Sequence, residues 1–593
     1  MRKIIFFIIF ILNIGIIMPN EITRKSQISG SFYPKNGDEL RNLITSYLDL
    51  ADVSKVSNLK NINGIVVPHA GYVFSGSTAA FSYKAIQNNI YDLAVIIAPS
   101  HQKYFSGVSV FDGDYYETPL GKIKVDKEFA SKITDNNQIK LSSIAHITEP
   151  NQAEHSLEVQ LPFLQIVQPN LPIVPIIIGS QDFSTINILV RNLYSAIKNE
   201  HKKVLLIASS DLSHFHNLNE ANELDKSFIN AFTSYNYFKL ELNTFAGNWE
   251  ACGSGPISIV MQVCELLGSN RAIELNYSTS ANSKYANYDK TRVVGYFSGV
   301  IGFDEAINSE LLPKLSTQDM ENSLLLAKSS IEQKINNKPF KNNLTLSEKF
   351  ESDYPVFVTI NKQNSKGDFN LRACMGHIIS SNNLKTEILS TATMAATEDY
   401  RFGPIKVNEL DSLKYEITIL SRFKKILNIN EIKIGKNGLY LRNGNKSALF
   451  LPQVATDNNW NIVQFLQNLC YKANLPIDEK LIVESSYTAE GGRKAFREVL
   501  KYQPTAIFAC SDMTAWGVIQ QANLLGIRVP EDLAVVGFDN IHLSSLILPA
   551  LTTVEQPQEK FGEIAVKQVV AALDNKPSEK IVLEPRLIER KSS

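Results

Sequence analysis

Three apolar, β-rich runs in this chain each end in a loop that carries histidine or aspartate, and this punctuation constrains the fold more than any other feature. Gly64–Val67 (GIVV) runs into Pro68-His69-Ala70-Gly71-Tyr72, and Leu93–Ala98 (LAVIIA) runs into Pro99-Ser100-His101. Val204–Ala208 (VLLIA) ends at Ser209-Ser210-Asp211-Leu212-Ser213-His214, and Ile173–Ile178 is a fourth run of the same kind. Short, uninterrupted apolar runs read as strands buried on both faces, as in a largely parallel sheet covered by helices. The stretches Gly76–Gln87 and Phe183–Lys198 read as such helices. Residues 24–305 are therefore expected to form an α/β domain. In open α/β sheets the site lies in the crevice beyond the carboxyl ends of the strands, which is where His69, His101, Asp211 and His214 stand. Any one of them alone reads more readily as a structural hydrogen-bonder; four at three strand ends point to a shared site.

Composition narrows the function classes. Hydrophobic residues make up 44% and charged residues 20%, a balance of soluble globular domains rather than of disordered or fibrous chains. The 593 residues leave room for roughly four domains of about 150 residues. Lys+Arg 59 against Asp+Glu 60 gives a net charge of −1, without the basic excess of a dedicated nucleic-acid binder. The five cysteines, Cys252, Cys264, Cys374, Cys470 and Cys510, form no CxxC pair, so neither a zinc ribbon nor a disulfide framework is supported. Seven of the nine histidines fall between His69 and His216, which concentrates imidazole in the first segment.

At the N-terminus, Arg2 and Lys3 precede an apolar run from Ile4 to Met18. It is shorter than the about 20 residues of a bilayer span and suits the apolar region of a signal peptide. The other reading is a start at Met18, giving a cytoplasmic chain; the first reading implies export or a membrane anchor.

Gly30-Ser31-Phe32-Tyr33-Pro34, VPHAGYVFSG, APSH, YETPLGKIKVD, EHSLEVQLPFL, ASSDLSH and ACGSGP occur in order across the first segment. Together they resemble the Memo family, protein B of the AmmeMemoRadiSam system, whose fold is similar to that of the class III extradiol dioxygenases with their non-haem Fe(II). The resemblance implies metal-binding histidines at His69 and His101 and a third ligand position at Cys252, where the ring-cleaving enzymes have an acidic residue. A thiolate suits softer metals, so one redox-active ion, Fe(II) or copper, is expected and ring cleavage is not assumed. Asp211 and His214 correspond to acid/base positions, where an imidazole titrates near neutral pH. His155 and Glu158 share one face if EHSLEVQ is helical and are expected to orient the ligands; a helix-start carboxylate beside a packed histidine is the competing reading. His146, His201 and His216 show no functional spacing, and Cys264 in Ile257–Leu267 reads as core.

Residues 306–319 read as a linker. Beyond it come a helical pattern (Met320–Asn336), strands at Val356–Ile360 and Tyr415–Leu420, and Leu371-Arg372-Ala373-Cys374-Met375-Gly376, Glu398-Asp399-Tyr400-Arg401-Phe402, Ile434–Ala455 and Trp460 leading into Phe465–Lys472. This order resembles the AMMECR family, protein A of the same system, and implies an α+β domain over 320–478. Ala373 stands where that family usually has glycine, which permits backbone conformations that alanine disfavours. Arg372 beside Cys374 reads either as an anion-assisting arginine with an activated thiol or as a buried structural cysteine. Two proteins of one system on one chain imply a shared step through effective concentration. The system implies a radical-SAM partner; this chain has no CxxxCxxC cluster, so the iron–sulfur centre is expected on that partner.

From 479 to 593, Pro504–Ala509 leads into Cys510-Ser511-Asp512, a helix (Met513–Leu525) closed by Gly526, and a strand (Leu533–Gly537) ending in Phe538-Asp539-Asn540. This resembles the C-terminal subdomain of LacI/GalR-type repressors, a three-layer αβα half-domain of periplasmic-binding-protein type. The resemblance implies effector contacts at Ser511, Asp512 and Asp539. No helix-turn-helix and no opposing subdomain are visible, so DNA binding is not expected and an effector cleft is incomplete. The expected function is a metal-dependent oxidoreductase-like component working with a radical-SAM protein. The alternatives are a non-enzymatic adaptor for peptides, small molecules or proteins, and a remnant of an effector-binding regulator.

Overall fold

The computed structural model describes residues 21–134, 138–147, 154–307, 315–336, 344–380, 382–427, 429–444, 446–475, 483–502, 504–573, 581, 583 and 585–593. The chain divides into two compact units, Met1–Asn428 and Ile429–Ser593.

The first unit is built on a nine-stranded mixed sheet. At its centre, Lys60–Val67, Val204–Ser209, Leu93–Pro99 and Ile173–Ile178 lie side by side and parallel. Each contains the apolar run that predicted it. Successive side chains alternate between the two faces: Val66, Val95, Ile97, Leu206 and Ala208 pack into one core, and Ile65, Val67, Ile96, Ala98, Leu205 and Ile207 into the other. Helices Ser254–Leu266 and Phe183–Glu200 cover the first face, and Tyr72–Ile86 packs on the second. Asp182 caps Phe183–Glu200 by accepting from the Thr185 backbone N–H, which satisfies one of the unpaired amides of the first turn. Val293–Phe303 adds antiparallel to Lys60–Val67 and carries Arg271–Thr279 on the same strand. Because the central strands are parallel and adjacent, their carboxyl ends deliver His69, His101 and Asp211 to one edge.

The N-terminal strap is fastened across that edge. Thr23–Arg24 pairs in parallel with Tyr115–Tyr116. The Arg24 guanidinium is buried and meets the buried Glu158 carboxylate, and it also donates to the backbone carbonyls of His146 and Glu154. Glu158 Oε1 further accepts from Ser26 Oγ, the Tyr33 hydroxyl and the backbone amides of Gln27 and Ile28.

The same unit contains a three-stranded antiparallel sheet, Phe369–Gly376, Val356–Gln363 and Leu413–Ile419, backed by helices Thr317–Asn336 and Leu384–Thr397. That first helix begins at Thr317, so the last three residues expected to be linker are helical, while 308–314 lie outside the described residues. Ala373 is buried in its strand, next to a shift in register opposite Ile360 and Asn361, and its backbone is not left-handed, so alanine meets no conformational conflict there. The two parts of this unit share a seam. Lys239 pairs with Asp353 at 2.7 Å, Arg422 with Glu265 at 2.7 Å, and the Phe238 and Phe423 rings lie 4.5 Å apart. A cleft of about 860 Å3 opens along it, lined by none of the strand-end histidines.

The second unit holds the hairpin Leu439–Asn443/Lys446–Phe450 with helix Ile462–Lys472. It also holds a four-stranded sheet, Ala506–Phe508, Ala534–Phe538, Thr552–Glu555 and Arg586–Ile588, parallel except for the last strand. Helix Asp512–Leu524 packs on it through Ala515, Val518, Ile519 and Ala522, and left-handed Gly526 follows its end. Among the described residues no helix is long and apolar enough to cross a membrane; the Ile4–Met18 run lies outside them.

Candidate metal centre

His69 leaves the end of Lys60–Val67 fully enclosed, 2% exposed. Its Nδ1 lies 2.9 Å from Ser209 Oγ, which itself donates to the Ser156 carbonyl and accepts from Gln160 Nε2. With the hydroxyl proton committed to Ser156, His69 Nδ1 is the donor, and the lone pair sits on Nε2. Burial, with His101, His155 and His214 nearby, holds the ring well below the usual imidazole range, so it is neutral and able to ligate.

His101 is oriented in the same manner by a different group. Glu154 accepts the His101 backbone N–H at 2.6 Å and faces its Nδ1 at 3.2 Å, while Ser156 donates to it from both N–H and Oγ. Burial works to raise the Glu154 pKa, but the bonds from His101 and Ser156 outweigh it and hold the carboxyl down to about 2. The anion fixes the Nδ1–H tautomer, again leaving Nε2 free. The His69 and His101 rings stand 5.0 Å apart at 78°.

Cys252 approaches His69. Its Sγ is 3.1 Å from His69 Nε2 and accepts the Asp211 N–H at 3.3 Å. The following glycine makes the approach possible: a Cβ on Gly253 would sit 2.2 Å from the Ser209 carbonyl oxygen. Burial, then the Asp211 carboxylate, pushes the thiol pKa upward, so the sulfur is a thiol unless a cation beside it favours the thiolate. Asp211 accepts the His69 amide at 2.8 Å, and burial raises its carboxyl to about 7 against that bond. His214 sits on the neighbouring edge strand, its pKa lowered by burial, with Glu250 accepting its backbone N–H at 3.2 Å and His216 Nε2 at 3.0 Å.

His155 also enters the group. One ring nitrogen from each of His69, His101 and His155 lies within 4.8 Å of the other two. Glu158 does not accompany it. The segment is a turn leading into a short 3-10 stretch, Glu158–Gln160, rather than a helix starting at Glu154. Glu158 turns away to Arg24, so it braces the strap and not the ligands. The carboxylate that orients His101 is instead Glu154, which sequence spacing missed along with Ser209 and Gln160; its only signal is its place directly before His155 in EHSLEVQ.

Other candidates take structural places. Arg372 is committed to the Glu409 carboxylate at 3.0 and 3.1 Å and to the carbonyls of Gly403 and Pro404, so it is not available to assist an anion. Cys374 Sγ accepts from Thr359 Oγ1 at 3.3 Å. Ser511 caps its helix by accepting from the Thr514 amide. Asp512 points inward rather than to an effector: its oxygens take the Ile541 N–H and the hydroxyls of Ser544 and Thr553. Asp539, at φ +112°, accepts from Gln556 Nε2 at 2.8 Å. Asp512→Ala is therefore expected to destabilise the second unit by roughly 3 kcal/mol through three orphaned donors, measured by urea unfolding. An unchanged midpoint would show that these bonds contribute nothing.

His146 shows what a satisfied core histidine looks like here. Tyr116 Oη lies 2.5 Å from its Nδ1, and its Nε2 is 3.0 Å from the Ser109 carbonyl. Burial depresses its pKa from 6.5 to about 3. The unfolded chain therefore binds a proton that the folded chain refuses between these values. Its contribution to stability is intact above pH 6.5 and lost as pH falls toward 3, about 2 kcal/mol by pH 5. His146→Gln is expected to flatten the pH dependence of the urea midpoint between pH 7 and 5; an unaltered slope would remove His146 as its source.

The profile of the family described as Memo-like protein matches residues 24–300. A MEMO1 family protein of Methanobrevibacter smithii is 35% identical over 285 residues, covering 47% of this chain and 99% of that one. The chain belongs to the MEMO1 family. A second MEMO1 family protein, from Methanosarcina barkeri, is 36% identical over 279 residues, with 47% and 99% covered. The MEMO1 segment is fused to others: the AMMECR1 profile matches 324–490 and a periplasmic binding protein-like domain matches 448–593. Among solved structures, an uncharacterized protein of Pyrococcus horikoshii aligns at 30% identity over 28% of this chain and 85% of that one, with a TM-score of 0.26.

Proposed function

We propose that the MEMO1 segment binds one redox-active ion, Fe(II) or copper, at His69, His101 and Cys252, and serves as an oxidoreductase-like component acting with a radical-SAM partner. The observation that carries this reading is the paired orientation of the imidazoles. Ser209 and Glu154 each occupy an Nδ1, which leaves both Nε2 atoms free; that of His69 lies 3.1 Å from Cys252 Sγ, and the two rings stand 5.0 Å apart. Two nitrogens and a sulfur form a donor set suited to copper, zinc or iron rather than to hard cations. Such an ion, when bound, supplies electron transfer and Lewis-acid polarisation.

The chain's own groups then do the positioning. Glu154 and the Ser209–Gln160 pair hold the ring tautomers, Asp211 pins the backbone of His69, and Gly253 lets Cys252 close in. His214, neutral and beside the group, is the proton acceptor for a substrate held at this edge. The radical-SAM assignment rests on the fusion of the MEMO1 and AMMECR1 segments and on a chain whose five cysteines are too scattered to hold a cluster.

Elemental analysis of the anaerobically purified full chain tests the reading. About one equivalent of iron or copper is expected, and almost none in the His69→Ala/His101→Ala variant. Equal metal in both would overturn it. A second reading is a peptide-binding adaptor, favoured by Tyr104 and Phe215, large exposed aromatics three residues beyond His101 and one beyond His214. It predicts partner binding that survives full metal removal.

A further inference from the structure

We infer that His155 is itself a ligand, so that the ion is held by three imidazoles, with the Cys252 sulfur completing the set on the His69 side. The inference rests on the metal reading above and extends it to a residue that the family resemblance left outside the ligand set.

Three observations carry it. First, the His155 ring lies 4.8 Å from His101 and 5.5 Å from His69 between ring centroids, with one nitrogen of each ring within 4.8 Å of the other two. Second, neither nitrogen of the ring has a hydrogen bond among the described residues. The nearest carboxylate oxygen, Glu154 Oε1, is 3.9 Å away and already serves His101 and Ser156. The ring is part-buried, and its unbonded nitrogens are not among the fully enclosed atoms, so they reach open space; His146, by contrast, is bonded at both nitrogens. Third, the ring is held from behind by Phe32, whose centroid is 4.8 Å distant, so its place is built rather than incidental.

The His69 lone pair meets the Cys252 thiol, and a cation placed there takes nitrogen and sulfur together as the thiol proton is released. A third unpartnered imidazole at the same space gives that cation a further donor. In a four-coordinate site with metal–nitrogen bonds of about 2.0–2.1 Å, ligand nitrogens stand about 3.3 Å apart. The rings therefore need to close by no more than about 1.5 Å, within the reach of small side-chain rotations. The result is a nitrogen-rich set of three imidazoles and one sulfur with every position filled. His69, His101 and Cys252 alone provide only two imidazoles and one sulfur, with a position left open.

Anaerobic titration of the full chain with Co(II), followed by its visible spectrum, tests the assignment. Wild type is expected to bind one equivalent with the intense visible bands of a four-coordinate site. His155→Phe, which keeps the ring's contact with Phe32 but offers no lone pair, is expected to lose at least about tenfold in affinity, with weakened bands. Unchanged far-UV circular dichroism and recovery of the bands with added imidazole would assign the loss to the missing ligand. His155→Phe matching wild type in affinity and spectrum, while His101→Ala loses Co(II), would overturn this inference alone. Failure of wild type to bind Co(II) would overturn it together with the metal reading.

Discussion

Arg24→Ala is expected to destabilise the first unit by about 3–5 kcal/mol, the cost of leaving one member of a buried ion pair without its partner. Both side chains are almost wholly enclosed, 2% and 0% exposed. Arg24 also satisfies the carbonyls of His146 and Glu154, so its loss strips donors from the loop that carries His155. Replacing both partners, Arg24→Met with Glu158→Leu, is often nearly neutral for an isolated buried pair. Here it is not expected to restore stability. Glu158 also serves Ser26, Tyr33 and the amides of Gln27 and Ile28, and those donors would be stranded. Urea unfolding of the two variants decides the matter. A double variant as stable as wild type would show that the network adds nothing beyond the pair.

The second large effect belongs to Glu154. Glu154→Gln retains shape and some hydrogen bonding but removes the anion opposite His101 Nδ1. Outer partners of this kind are worth about 10–100-fold in metal affinity, and a loss in that range is expected without unfolding. Competition for the metal against a chelator of known affinity measures it. An affinity equal to that of wild type would show that His101 is oriented by its loop alone.

These two residues also mark where sequence reading reached its limit. The strands were legible because uninterrupted apolar runs such as LAVIIA bury both faces, and their common direction placed His69, His101 and Asp211 at one edge. What depended on contacts across long separations was not legible. Glu158 and His155 stand three apart, so helical spacing placed them together, yet a salt bridge to Arg24, 134 residues away, draws Glu158 off. Glu154, Ser209 and Gln160 meet the histidines only after three loops converge. Arg372 and Cys374 were read as neighbours in one motif, but the arginine is long enough to reach Glu409 and its chemistry is spent there. Asp512 stood in a motif that suggested a ligand contact, while the half-domain uses the carboxylate to join three of its own segments.

The central claim is that one ion sits at the convergence of His69 and His101. Anomalous diffraction from crystals of the full chain loaded with Fe(II) or copper, recorded at the metal edge, tests it most directly. A single strong peak within bonding distance of His69 Nε2 and His101 Nε2 is the predicted result. A peak elsewhere in the chain, or none at these histidines in protein that retains metal, would contradict it.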